Sequence, residues 1–197
     1  MKTNLLAGLA LLMHVFVFCQ SFRPIVSAGT RTSMTTMDSN DAIGKGLGGQ
    51  VRVQFSKRLN SEWYQDKLAS KSALTGRNED QMGWSMMYYV KAKFDTTQVF
   101  QPFLIMGQSF DKADVFELED ETNSASVQYV AVHGGLGTHV NISPKFDCSL
   151  SGLYVHPFGK EIESIPGEEG LLIQKAEQSR TGHLLFTVSI NYKILKL

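Results

Sequence analysis

The stretch "LLFTVSINYKI", residues 184–194, alternates apolar and polar side chains almost without a break. One parity is apolar and carries Leu184, Phe186, Val188, Ile190, Tyr192 and Ile194. The other carries Leu185, Thr187, Ser189, Asn191 and Lys193. Because successive side chains of a β-strand point to opposite faces, this stretch predicts a strand with one apolar and one polar face. The apolar face must contact either a protein core or lipid, and that choice decides the fold.

The same period of two recurs along the chain, and helical periodicity is scarce. Clear alternation is found in residues 47–59, 84–94 and 146–154, and a less regular form in residues 127–140. Weaker alternation is found in residues 24–34, 62–72 and 98–110. Together with the closing stretch these segments predict eight strands. Their half-polar pattern is typical of antiparallel strands with one face buried, rather than of a parallel sheet buried on both faces.

The composition is that of a single folded domain, and it argues against a nucleic-acid partner. The 197 residues are 43% hydrophobic and 19% charged, which suits a single sheet-based domain. Lys+Arg and Asp+Glu are both 19. Because the chain has no basic excess, we expect no nucleic-acid partner.

The N-terminus predicts export. Lys2 precedes an apolar run from Leu5 to Phe18, which has the length of a signal-peptide core and is shorter than a helical span of about 20 residues. We therefore expect a cleavable signal peptide at 1–19 and an exported domain at 20–197. Acylation of Cys19 and an uncleaved anchor are alternatives, although the bulky Phe18 disfavours the former. Cleavage would leave Cys148 without a disulfide partner, so a closed sheet would have to stabilise the domain.

The connections between the predicted strands alternate in length. Short connections are expected at 60–61, 95–97 and 141–144, and long ones at 35–46, 73–82, 111–123 and 159–182. An up-and-down barrel of an outer membrane combines short periplasmic turns with long outside loops. The rhythm therefore predicts such a barrel, with both termini on the periplasmic side.

Alternation alone does not separate a membrane barrel from a soluble, lipocalin-like periplasmic barrel that binds a small apolar ligand. Three observations favour lipid. The apolar faces extend over about 10 residues, which is the length of a tilted transmembrane strand. Charges on the apolar parity, Lys57 and Lys196, lie at strand ends, where they cost least. Aromatic side chains also lie near expected strand ends: Phe55, Trp84, Phe94, Phe146, Tyr154 and Tyr192. The sequence thus predicts an all-β, eight-stranded antiparallel up-and-down transmembrane β-barrel.

Residues 101–110, 129–155 and 185–194 carry a resemblance to a known family. With their glycine-rich strand, tight turn and closing strand, they resemble small outer-membrane barrels of the OmpA/OmpX type. The likeness is strongest to the porin-like "outer membrane protein β-barrel domain" proteins of Bacteroidota. The resemblance implies a location in the bacterial outer membrane, contact with its lipid, and insertion by the barrel-assembly machinery. The chain departs from the family at Leu197, because such barrels often end on an aromatic residue.

An eight-stranded barrel is narrow enough for side chains to fill it. The inward parity predicts a polar lumen network of Arg52, Gln54, Lys91, Lys93, Asp147, Thr187, Ser189 and Asn191. Since buried cations require partners, we expect Arg52, Lys91 and Lys93 to pair with the carboxylates Glu62, Asp66 and Asp147. The network is interpreted as a structural plug, and a selective pore is the alternative.

Other motifs do not support catalysis or cofactor binding. "GKGLGG", residues 44–49, has dinucleotide-loop spacing, but a strand follows it where a helix is required, so we expect a flexible loop entering strand two. His133 and His139 lie about 20 Å apart along one strand, too far to share a metal. His156 and His183 flank the longest loop on opposite parities, so an outer-membrane lipid-modifying enzyme is the weaker alternative.

The function predicted is that of a non-enzymatic structural or surface-interaction protein, without metal or cofactor. Its informative regions would be two outside loops, the acidic segment 111–123 and the longest connection, 159–182. Such loops are where a rigid scaffold carries its recognition residues. A partner at the cell surface is therefore expected to bind through them.

Overall fold

A computed structural model describes residues 24–37, 42–72, 74–90, 99–120, 122–167, 170–179 and 182–196. The expected signal peptide, 1–19, lies outside these residues. Ten strands are present in the described ranges: β1 Ile25–Met37, β2 Ala42–Gln54, β3 Leu59–Lys71, β4 Thr75–Tyr89, β5 Phe100–Glu117, β6 Ser124–Asn141, β7 Phe146–Phe158, β8 Lys160–Gly167, β9 Gly170–Ser179 and β10 His183–Lys196. No described helix is long and apolar enough to cross a membrane.

Eight of these strands close into a barrel in the order β1-β10-β7-β6-β5-β4-β3-β2. Every neighbouring pair is antiparallel, and β1 closes the barrel by pairing with both β2 and β10. The alternating stretch 184–194 lies in β10 and pairs with β7 on one side and β1 on the other. The prediction of an all-β, eight-stranded antiparallel barrel is confirmed.

Burial alternates along the strands and places the polar parity inside. In β10, Leu185, Thr187, Ser189 and Asn191 are buried, while the apolar side chains between them are exposed. One part of the interior is apolar, and most of its side chains come from the five strands β3 to β7. Its buried cluster consists of Leu68, Met87, Tyr89, Phe103, Ile105, Ala113, Tyr129, Ala131, Leu153, Val155 and Leu185.

The expected rhythm of short and long connections is wrong in several places. Two connections are short as expected, but only the turn at 142–145 lies near its predicted position, 141–144. The other short turn is at 55–58, because the predicted position, 60–61, lies within β3. The third predicted turn, 95–97, lies outside the described residues. However, β4 begins at Thr75 and β5 continues to Glu117, so the expected loops at 73–82 and 111–123 are largely strand. The predicted glycine-rich loop at 44–49 also lies within β2.

These residues were predicted as loops because the backbone hydrogen-bond ladder continues beyond the part of each strand whose outward side chains are apolar. Near one end of the barrel the outward positions become polar, as at Lys67, Asp80 and Lys112, which lie side by side on three neighbouring strands. Backbone hydrogen bonds continue through such residues, whereas the hydrophobic alternation stops at them.

Two further expectations need correction. Trp84 lies within β4, directly opposite Trp63 of β3, and not at a strand end. The connection 159–182, expected to be a loop, contains the antiparallel pair β8 and β9, which form a separate two-stranded sheet. Both strands lie beside β6, and β9 also lies beside β5.

Candidate functional site

The lumen holds a chain of buried ion pairs drawn from four strands. Arg31 of β1 contacts two carboxylates of β3, with its Nη1 3.2 Å from Glu62 Oε1 and its Nε 2.9 Å from Asp66 Oδ2. Arg52 of β2 contacts the other oxygen of Glu62 at 3.6 Å and, through Nη1, Asp147 Oδ1 of β7 at 3.1 Å. Glu62 therefore bridges two guanidinium groups, and opposite charges neutralise each other across the barrel.

Neighbouring groups hold the Arg31 end of this chain in place. Ser33 Oγ donates a hydrogen bond of 2.8 Å to Asp66 Oδ2, and the Arg31 guanidinium lies 4.1 Å above the centre of the Tyr64 ring. Gly48 makes room for the carboxylate, since a Cβ there would lie 1.9 Å from Asp66 Oδ1. The glycine in β2 is thus required by the close approach of an interior side chain, which also explains part of the "GKGLGG" pattern.

Amide and hydroxyl groups continue the network to the closing strand. Gln50 Nε2 donates to Ser189 Oγ at 3.0 Å and to Asn191 Oδ1 at 2.7 Å. Asn191 Nδ2 in turn donates to Asp147 Oδ1 at 3.1 Å, and Lys193 Nζ lies 3.7 Å from Asp147 Oδ2. The polar parity of β10 therefore contacts β2 and β7 across the interior.

A second polar group lies nearer the other end of the barrel. Glu79 of β4 accepts hydrogen bonds from Gln81 Nε2 at 2.9 Å, from Arg77 Nε at 3.1 Å and from the Tyr129 hydroxyl. Ser109 Oγ donates to Asp111 Oδ2 at 2.9 Å. Asp111 is buried, so the first acid of the expected acidic loop points into the barrel.

A small cavity lies at the end of the lumen near the 55–58 turn. Its volume is about 10 Å³, which is space for one water molecule. Buried atoms of the lining without a hydrogen-bond partner among the described residues include Arg52 Nη2, Asn60 Oδ1 and His139 Nε2. One donor, one acceptor and one ring nitrogen are the set that a single buried water would satisfy.

The residues predicted for the lumen are only partly brought together. Arg52, Asp147, Ser189 and Asn191 join the network described above. Gln54 is buried, but its amide donates to the Ser56 carbonyl at 3.1 Å. Thr187 shares a hydrogen bond of 2.6 Å with Ser151, apart from the ion pairs. The other two predicted members, Lys91 and Lys93, lie outside the described residues.

Sequence reasoning missed several members of the interior. Arg31 lies in a segment with weak alternation, where Thr and Ser occupy both faces and give little contrast. Glu79 lies in residues that were expected to be a loop. Of the expected carboxylate partners, Glu62 and Asp147 contact Arg52, whereas Asp66 contacts Arg31. For Arg31, the available signal was its even-numbered spacing from the polar residues Ser27, Ser33 and Thr35, which are all buried on the same face.

The histidines do not form a catalytic or metal arrangement in the described structure. His156 points outward and His183 is buried inside, so their opposite parities place them on opposite faces. His133 Nε2 lies 2.8 Å from Ser85 Oγ, but this pair is sealed within the lumen. Among the described residues, no three His, Cys, Asp or Glu side chains lie close enough to hold a metal ion.

The outer surface is apolar over most of its height. Outward side chains from around the barrel include Leu47 at 71% exposure, Met106 at 69% and Leu136 at 68%. The rings of Phe146 and Tyr192 lie 5.0 Å apart at the end that carries the short 142–145 turn. Toward the other end, Lys67 Nζ lies 3.7 Å from Asp80 Oδ1 and marks where the apolar surface stops.

This arrangement, with an apolar exterior and an ion-paired interior, reverses that of a water-soluble barrel. The fold is that of the small outer-membrane β-barrels. Neisserial surface protein A superposes with a TM-score of 0.61 at 14% identity, covering 87% of this chain and 97% of that one. A major outer membrane protein from Thermus thermophilus superposes with a TM-score of 0.55 at 8% identity, covering 87% of this chain and 99% of that one. The outer membrane protein OprG from Pseudomonas aeruginosa superposes with a TM-score of 0.53 at 12% identity, covering 88% of this chain and 96% of that one.

The likeness is carried by the structure and not by the sequence. No family model matches the chain, and no curated protein matches it. At identities of 8 to 14% the shared property is the eight-stranded barrel itself. The function must therefore be argued from the side chains of this chain.

Proposed function

We propose that this protein is an integral barrel of a bacterial outer membrane, with a lumen closed by its own side chains and a non-enzymatic structural or surface-interaction role. The observation that carries the proposal is the inverted barrel: apolar side chains outside and ion pairs inside. Leu184, Phe186, Val188 and Ile190, one face of β10, are all about half exposed. Contiguous apolar surface of this kind is stable in lipid and not in water.

The interior supports a structural plug rather than a channel. The guanidinium groups of Arg31 and Arg52 are bridged through Glu62, and Arg52 reaches Asp147 on the far side of the barrel. All four side chains are at most 5% exposed. Eight strands leave room for packed side chains, while water-filled channels belong to barrels of more strands. Single-channel recordings of the refolded protein should therefore show no stable ohmic conductance.

The surface role is assigned to the end opposite the short turns at 55–58 and 142–145. There, the 118–123 turn between β5 and β6 carries Asp120, whose Oδ1 accepts hydrogen bonds from the Thr122 hydroxyl at 2.6 Å and backbone amide at 3.0 Å. These bonds lower the pKa of the Asp120 carboxyl, because they stabilise its charged form. The β8–β9 pair lies beside β5 and β6, the strands that this turn joins. We propose that the acidic turn and this pair form one composite surface that a partner binds.

The test is membrane fractionation combined with gel mobility. We expect the protein in the outer-membrane fraction, resistant to alkaline extraction. The unheated sample should migrate differently from the boiled one, because a closed barrel resists SDS until it is heated. A soluble periplasmic pool without a mobility shift would instead support the lipocalin-like alternative. The described interior argues against that alternative, because ion pairs cross the barrel and its apolar side chains pack against one another in a buried cluster.

A further inference from the structure

A shallow groove crosses the outer face of β2 and β3. Its apolar walls are Leu47, Val51, Trp63 and Met82, and its floor is Gly49. Gly49 is exposed, and a Cβ built there would meet nothing closer than the Gly29 carbonyl oxygen, at 3.7 Å. This glycine is therefore not required by packing, unlike its neighbour Gly48. Its absent side chain leaves the groove open.

The groove has a polarity along its length. On β3, the outward residues run from Trp63 through Gln65 to Lys67, and they lie opposite Val51, Gly49 and Leu47 of β2. Alternate residues of a strand are about 6.6 Å apart, so an apolar ring, an amide and an ammonium group follow one another at that spacing. The same order is found in a membrane lipid, which runs from acyl chain through ester or amide to phosphate.

We infer that this groove binds an acyl lipid of the outer leaflet that carries an anionic phosphate headgroup. An acyl chain would lie on Gly49 between Leu47, Val51 and Trp63, and its phosphate would meet the ammonium group of Lys67. The inference rests on the proposed membrane location, which places this end of the barrel in the outer leaflet.

The lysines at one end of the groove support the binding of a phosphate there. Lys67 is 77% exposed despite its contact with Asp80, so its ammonium group remains available. Lys45 is also exposed and points outward two residues beyond Leu47, which lies directly opposite Lys67. Two ammonium groups on diagonal positions, with one carboxylate beside them, leave a net positive rim above an apolar groove.

The experiment is native mass spectrometry of the folded full-length mature chain in detergent, with lipid A, its dephosphorylated form and phosphatidylethanolamine as probes. Wild type should retain lipid A and lose most of its preference when the phosphates are removed. Lys67→Gln should weaken lipid A binding about fivefold, since one basic residue at a lipid surface contributes roughly that factor. Gly49→Leu should abolish retention by filling the groove.

Gly134→Leu is the matched control for Gly49→Leu. Gly134 of β6 also has open space outside, with the Ile105 carbonyl oxygen 3.8 Å from a built Cβ, but it lies away from the groove. Equal retention of lipid A by Gly49→Leu and Gly134→Leu, or by the phosphorylated and dephosphorylated forms, would overturn the inference. Heat-shifted gel mobility and vesicle insertion are measured on the same samples. Failure of wild type to insert would count against the proposed function itself, whereas insertion with unselective lipid binding would defeat only this inference.

Discussion

At the residue scale, Glu62 is the side chain on which the interior charge pattern depends. It contacts both Arg31 and Arg52. Glu62→Gln keeps the volume but leaves two buried guanidinium groups with one carboxylate fewer. We expect it to lower the free energy of unfolding by about 3 kcal/mol, at the lower end for a broken buried pair, because each arginine retains another partner.

The matched control for Glu62→Gln is Asp80→Asn, which removes an exposed carboxylate from its pair with Lys67 on the outer face. Such surface pairs contribute under about 1 kcal/mol. Urea unfolding of the refolded barrel, followed by tryptophan fluorescence, measures both variants. Equal stability of the two would mean that the interior ion pairs are not what holds the strands in register.

Two adjacent glycines give a second test at this scale. Gly48 faces inward, where a Cβ would meet Asp66 Oδ1 at 1.9 Å and the Gln65 carbonyl oxygen at 2.2 Å, whereas Gly49 faces open space outside. We expect Gly48→Ala to destabilise the barrel by about 1 to 3 kcal/mol through overpacking. Gly49→Ala should stabilise it by up to about 1 kcal/mol, since alanine loses less backbone entropy in a strand. The same unfolding assay compares them, and the reverse order would contradict the assigned inward and outward faces.

At the element scale, the strands that could be predicted are those whose outward face is apolar over their whole length. β10 is of this kind, and its predicted bounds, 184–194, nearly match the observed His183–Lys196. β7 was predicted only to residue 154, whereas the strand continues past the outward His156 to Phe158. β4 and β5 were predicted too short at the end that carries Asp80 and Lys112, because these outward charges break the hydrophobic pattern while the backbone ladder continues. β8 and β9 gave no signal, since their residues lack a long alternating run. The apolar–polar alternation of a sequence therefore shows which strand face contacts an apolar environment. The length of the strand is set by backbone hydrogen bonding, which the alternation does not show.

The β8–β9 pair is separable from the barrel, which leads to a third prediction. The barrel ladder between β7 and β10 ends at Val155 opposite His183 and does not include the pair. Replacing residues 160–181 by a short Gly/Ser linker should leave heat-modifiable mobility unchanged, because no barrel ladder is removed. Binding to cells or to a surface partner should fall if the composite surface is the recognition site. Loss of the mobility shift would show instead that the pair is needed to close the barrel.

At the scale of the whole molecule, the sequence predicts architecture well and the interior poorly. The number of barrel strands, their antiparallel pairing and their outward face all follow from period two, a property that each of these strands carries by itself. Which interior side chains meet depends on register and on the closure of β1 with β10, which no single segment encodes. Arg52 could thus be placed inside from its own strand. Its contact with Asp147, 95 residues away, required the closed barrel.

The environment of the closed barrel can be tested directly on the stretch that predicted it. In a mature chain with Cys148→Ser, Val188→Cys places a thiol on the outer face of β10, at a position that is 46% exposed. Lys145→Cys places one in the exposed 142–145 turn. In lipid vesicles a membrane-impermeant maleimide should label the turn thiol and spare the one in β10, because hydrocarbon covers it and disfavours the reactive thiolate. Unfolding in urea should make both react. Equal labelling of the two folded variants would mean that water surrounds the apolar face, and the membrane assignment would fall with it.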